Sequence, residues 1–262
     1  MMMTFKILRY QLQDMLRSRW VIFYALFFLG VTDAFFRFGG DGPRVILSLM
    51  NVVLLIIPLM AVVLGTMFLY NSREYIELLL SQPIRRSSLF AGLFSGLSLP
   101  LAAAYVVGTS LPFLYHGALR QSAGALGVLL LAGVLLTVIF VALAFAVALT
   151  TEDRIRGLGL ALGVWMFAAV LYNGVMLLVI QIFDAYPLQH VVIGMSLLNP
   201  IDLGRIFMLL NLDAAALMGF TGAVFEKFFG SVRGQLLTLA AMMCWLTVPL
   251  LLGRRAFLRK NF

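Results

Sequence analysis

The chain has 262 residues, 63% of them hydrophobic and only 11% charged, with a mean hydropathy of +1.04. Charged residues make up about a quarter of an ordinary soluble domain, so a soluble globular fold is excluded and lipid must be the solvent along most of the length. The formal net charge of +8 sits in short segments flanking apolar runs, a pattern of membrane topology rather than of nucleic-acid binding.

Taken in chain order, residues 4–19 put Phe5, Leu8, Leu12, Met15 and Leu16 on one helical face and Lys6, Arg9, Gln13, Arg17 and Arg19 on the other. The spacing predicts an amphipathic helix within residues 1–19, lying in the headgroup layer with its basic face toward anionic lipid. A plain basic flank is the alternative. The stretch is too charged to serve as the apolar core of a cleavable signal peptide.

A hydrocarbon core of about 30 Å requires roughly 20 apolar residues per helix. Residues 20–36, interrupted only by Asp33, and the charge-free runs 45–72, 87–119, 121–151, 157–183 and 234–253 supply six such spans. Asp33 and Arg37 stand four apart, so a helix brings them together as a pair. The runs lack the period-two alternation of a transmembrane β-barrel, and helices satisfy their own backbone hydrogen bonds. The expected fold is therefore an all-α integral membrane protein, one domain over residues 1–262.

Segments 1–19, 71–88, 151–156 and 254–262 fall on one side of this arrangement and hold 13 of the 19 Lys and Arg, against five of the 11 Asp and Glu. The positive-inside rule makes that side cytoplasmic and both termini internal. A single cysteine, Cys244, allows no internal disulfide.

The insert at 71–89 is charged, amphipathic and of helical length, between spans two and three. Ile76, Leu78, Leu79 and Leu80 give its apolar side; Arg73, Glu74 and Glu77 supply charge. Pro83 ends a helix at Gln82 or earlier, and Arg85 and Arg86 mark the membrane boundary. Such an element exposes Glu74, Glu77 and the arginine pair to a soluble partner on the inner face. An ordinary capped loop is the alternative. The short segment 150–156 is a second candidate contact or a solvated turn.

Residues 184–232 form the longest outer segment. Asn199 as N-cap, Pro200 in the first helical position and Asp202 in the first turn predict a helix start, and Asn211 can close that helix. Asp213 caps a second helix, and 221–229 form a third piece with Phe225, Phe228 and Phe229. Helices so apolar must lie on the bilayer surface, on the spans or against a partner.

No lysine follows a glycine, so there is no phosphate-binding Walker loop. His116 and His190 lie in different segments without metal-ligand spacing, and the 14 methionines are scattered as core filler is. No span carries a charge at mid-depth, which argues against an ion-coupled carrier. Asn51, Asn173 and Gln181 read as glue between helices. No cofactor, metal or catalytic group is expected, and energy must come from another subunit.

An amphipathic N-terminal segment, six spans and an inner insert reading Leu79-Leu80-Ser81-Gln82-Pro83-Ile84-Arg85-Arg86 resemble the ABC-2 type permeases, in which that insert is the coupling helix. Two further stretches are similar to the branch serving nitrous oxide reductase maturation: 157–165, GLGLALGVW, and 198–212, from Leu198-Asn199-Pro200-Ile201-Asp202 through Arg205 to Asn211. The resemblance implies a non-catalytic permease in the bacterial inner membrane, a homodimer, with two copies of a cytoplasmic ATPase bound at Glu74, Glu77, Leu79, Leu80, Pro83, Arg85 and Arg86. It also implies a periplasmic β-helix protein docked on an outer platform containing Asn199, Pro200, Asp202, Arg205 and Asn211, and a role in assembling a periplasmic copper enzyme with a sulfur species or copper as cargo. A general exporter of drugs, lipids or polymer is the competing expectation.

Overall fold

The computed structural model of the chain describes residues 18–82, 84–183, 189–211 and 232–260. The expected amphipathic helix up to residue 17, Pro83 and the expected helices over 213–229 lie outside these residues. Among the described residues the fold is all helix, with six helices long and apolar enough to cross a membrane. The chain is a multi-pass membrane protein.

Span one is α1 (Arg19–Gly39) and span two α2 (Gly42–Asn71). The short α3 (Arg73–Leu80) precedes span three, α4 (Arg86–Tyr115), and span four is α5 (Leu119–Thr150). Span five is assembled from α6 (Arg154–Met166), a π-helical turn (Phe167–Leu171) and α7 (Tyr172–Ile182). Two shorter helices, α8 (Gln189–Leu197) and α9 (Pro200–Asn211), precede span six, α10 (Val232–Arg259). Tight turns join spans one to two and three to four, and each uses a glycine in the left-handed region: Gly40 at φ 88° and Gly117 at φ 69°. Any other residue would strain there.

Span four is the hub, packed against spans two, three, five and six and against α9. Spans two, three and four are largely buried, whereas spans one, five and six expose most of their surface. With lipid as solvent, small residues decide which helices approach closely. A methyl group at Gly65 would stand 2.7 Å from the Ala144 Cβ, so α2 and α5 meet nearly backbone to backbone. Gly133 likewise leaves room for the ring of Tyr105, whose buried hydroxyl donates to the Leu129 carbonyl at 2.9 Å.

The helices α8 and α9 lie on the spans. They bend by 109° about Leu198 and Asn199 into a hairpin, and α9 packs against α2, α5 and α10. Their apolar surface is thus satisfied by protein, and the bend is made where the Asn199 side chain can cap the new helix: its Oδ1 accepts from the Ile201 N–H at 3.1 Å.

Candidate functional site

Two regions of the molecule carry polar structure that bears on function. At the basic end, the last residues of span two, α3, the connector 151–153 and the end of span six meet. The Tyr70 hydroxyl donates to the Thr151 carbonyl at 3.0 Å and the Arg73 guanidinium donates to the same oxygen at 3.3 Å. Arg73 also lies 4.7 Å over the Tyr70 ring, a cation–π contact that holds the two side chains in one geometry. Gly157 makes this possible, because a Cβ there would overlap the Tyr70 hydroxyl. Asp153 caps span five, accepting from the Ile155 N–H at 2.8 Å.

Arg86 reaches the other way and donates to the carbonyls of Leu258 and Lys260 at 3.2 and 3.0 Å. Lys260 in turn donates to the Leu149 carbonyl at 3.0 Å. Both cations sit where unpaired carbonyls end a helix, the favourable sign for the helix dipole. Burial, with Arg73 near, holds the Lys260 ammonium below the ordinary lysine range, and Glu152 partly offsets this.

On this frame α3 is anchored by Ile76, which is fully buried, while Leu79 and Leu80 pack partly against the core. Glu74, Glu77 and Arg85 are exposed, and Leu78 is 68% exposed. Of the sequence-predicted coupling residues, then, Glu74, Glu77 and Arg85 face outward, Leu79 and Leu80 fix the helix, and Arg86 holds the end of span six. Pro83 lies outside the described residues. Leu78, expected on the apolar side with Ile76, Leu79 and Leu80, instead faces outward, because the body covers the face that carries Ile76.

The second polar site is the hairpin bend. The Asn199 amide donates to the Ala168 carbonyl at 2.8 Å and to an Asp202 carboxylate oxygen at 2.9 Å. Arg205 lies 3.2 Å from the other carboxylate oxygen and donates to Asn173 Oδ1 at 3.4 Å. Ala168 belongs to the π turn of span five, a distortion often found at functional sites. It lies midway along Arg154–Ile182, so the hairpin carries the Asp202–Arg205 pair to mid-span although no span holds a charge there. The Tyr172 hydroxyl and Trp245 Nε1 donate to the carbonyls of Met195 and Leu197, at 2.5 and 3.1 Å, tying the hairpin to spans five and six. Asn199, Pro200 and Asp202 are buried within the chain and Arg205 is half-buried. Asn211 donates back to the Phe207 carbonyl at 2.7 Å. Asn199, Pro200, Asp202 and Arg205 build the hairpin, while Asn211, with Val191, Gly194 and Leu198, is exposed.

Beside the bend lies a cavity of about 400 Å³, walled by Leu143, Gly163, Phe167, Leu198 and Trp245 among others. The Trp245, Tyr172 and Asn199 polar groups on its wall are all engaged in the bonds just described, which leaves an apolar lining. No group of three or more His, Cys, Asp or Glu that could hold a metal occurs among the described residues.

A family model described as "ABC-2 family transporter protein" matches residues 5–262. The chain is 30% identical over 236 residues to the "Probable ABC transporter permease protein NosY" of Pseudomonas aeruginosa, covering 84% of this chain and 86% of that one. It is 28% identical over 279 residues to the protein of the same name from Stutzerimonas stutzeri, covering 98% of each.

Proposed function

Since this chain belongs to the ABC-2 transporter family, we propose that it works as the permease in one half of a homodimer, driven by two cytoplasmic ATPase subunits docked on α3. The observation that carries the reading is the division of α3 into two faces. Ile76 is locked into the body, and Glu74, Glu77 and Leu78, with Arg85 beyond the end of the helix, are exposed among the described residues. A surface helix that is firmly rooted and chemically varied on its free face is suited to receive a push. The basic end is then cytoplasmic, with both termini inside the bacterial inner membrane, and catalysis resides in the ATPase.

On the outer side we propose an external partner that engages residues 184–232, of which the hairpin is the described part. The resemblance of 157–165 and 198–212 to the nitrous oxide reductase branch is the ground for proposing a periplasmic β-helix protein there and a role in nitrous oxide reductase maturation, with a sulfur species or copper as cargo. The apolar lining of the cavity beside the bend favours a second reading, export of a drug, lipid or polymer. Stimulation of the complex's ATPase activity by such compounds supports export; stimulation by an external β-helix partner supports maturation.

The test of the coupling reading is Glu74→Lys combined with Arg85→Glu. The doubly reversed chain is expected to insert normally and to lose co-purification with its ATPase. Normal co-purification refutes the assignment.

A further inference from the structure

We propose that span five is the element through which the stroke on α3 reaches the hairpin, with Tyr70 and Arg73 as its input grip and Asn199 as its output joint. The inference rests on the coupling reading above and adds the route. Arg73 is the first residue of α3, and its guanidinium ends on the Thr151 carbonyl, beside the Tyr70 hydroxyl on the same oxygen. Thr151 belongs to the three-residue connector into span five, and Gly157 in the first turns of that span is covered by the Tyr70 phenol. Displacement of α3 therefore acts directly on the inner end of span five.

Span five is suited to move. Within one chain it is the least buried of the six spans, so few packed contacts inside that chain oppose its sliding or tilting. From Arg154 to Ala168 is about 21 Å of helix at 1.5 Å per residue, which carries the motion to mid-membrane. There the π turn offers the Ala168 carbonyl, and Asn199 takes it at 2.8 Å. The same Asn199 caps α9 and holds Asp202, so the joint lies at the 109° bend itself. A bent helix pair with its corner held by Asn199, and with Tyr172 and Trp245 holding carbonyls on its first arm, is the discrete element that such a relay needs to bias.

A rival route runs through span six, because Arg86 holds the carbonyls of Leu258 and Lys260 and Trp245 holds Leu197. Arg86 lies beyond the end of α3, and it grips the last carbonyls of the span rather than its packed length. The span five route starts on α3 itself.

The test uses the permease–ATPase complex in lipid nanodiscs, with Cys244→Ser removing the one native cysteine. A nitroxide is placed at Leu198→Cys, 66% exposed at the bend, or at Ile155→Cys, 82% exposed at the inner end. Its line shape is compared with and without a non-hydrolysable ATP analogue. In the parent both labels are expected to respond. With Tyr70→Phe and Arg73→Gln the ATPase still binds and both responses vanish, and Arg73→Lys, which keeps a donor, restores part of them. With Asn199→Ser, which keeps a cap acceptor but lacks the reach to Ala168, Ile155→Cys still responds and Leu198→Cys does not. A bend response that survives loss of the grip, or that is abolished by Arg86→Gln alone, overturns the relay and leaves the coupling reading standing. Failure of the ATPase to bind the parent chain brings down both.

Discussion

Ile76 and Leu78 stand two residues apart on the same eight-residue helix and should fail in opposite ways. Ile76 is fully buried, so Ile76→Ala removes packed methyl groups and leaves a cavity, a change costing about 2–5 kcal/mol in well-packed cores. The isolated permease should unfold at a lower temperature. Leu78 is 68% exposed, and Leu78→Ala should leave that temperature unchanged. If an ATPase subunit covers it, the side chain then recovers about two-thirds of the roughly 1.5–3 kcal/mol available from full burial. That is about 1–2 kcal/mol, or on the order of a 5- to 30-fold loss of affinity in the Ala variant. Thermal unfolding of the purified permease and titration of ATPase onto nanodisc-held permease separate the two. Undiminished affinity in Leu78→Ala shows that the outward face of α3 is not the docking face.

Cysteine at Phe38, 92% exposed, should react with an impermeant reagent added to intact cells, whereas cysteine at Ile155, 82% exposed, should react only after permeabilisation; the reverse pattern inverts the topology. Gly133→Ala drives a methyl group into the Tyr105 ring and should cost about 1–3 kcal/mol of overpacking. Adding Tyr105→Leu should recover most of the lost unfolding temperature. Asp202→Asn leaves Arg205 facing Asn173 without its counter-charge, and breaking a buried pair costs about 3–5 kcal/mol, here toward the lower end because Arg205 is partly exposed. The companion Asp202→Asn with Arg205→Gln should be less damaging than the single change, measured by the same unfolding assay.

The spans were legible because bilayer thickness writes itself into the length of each uncharged run. The Asp33–Arg37 pair followed from a four-residue spacing and is found at 2.7 Å. The Asn199–Pro200 helix start followed from capping chemistry that acts within three residues. The depth of the hairpin was not legible. Helices of nine and 12 residues are apolar whether they float on the bilayer or wedge between spans, and hydropathy does not distinguish the two. Nor could the sequence show that Arg205, the ion-pair partner of Asp202, also reaches Asn173 on span five, 32 residues upstream. The hold of Tyr70 and Arg73 on a carbonyl some 80 residues away leaves no mark in local pattern, because a backbone oxygen is present at every position.

The wedge has an implication for biogenesis. Two of the helices against which α9 rests, α2 and α5, are complete before its own codons are read, while the third, α10, leaves the ribosome last. Residues 200–211 thus meet a half-built slot, and span six closes it afterwards like a door. A chain arrested near residue 211 would hold its bent pair against spans two, four and five without span six, with the Leu197 carbonyl still awaiting the indole of Trp245.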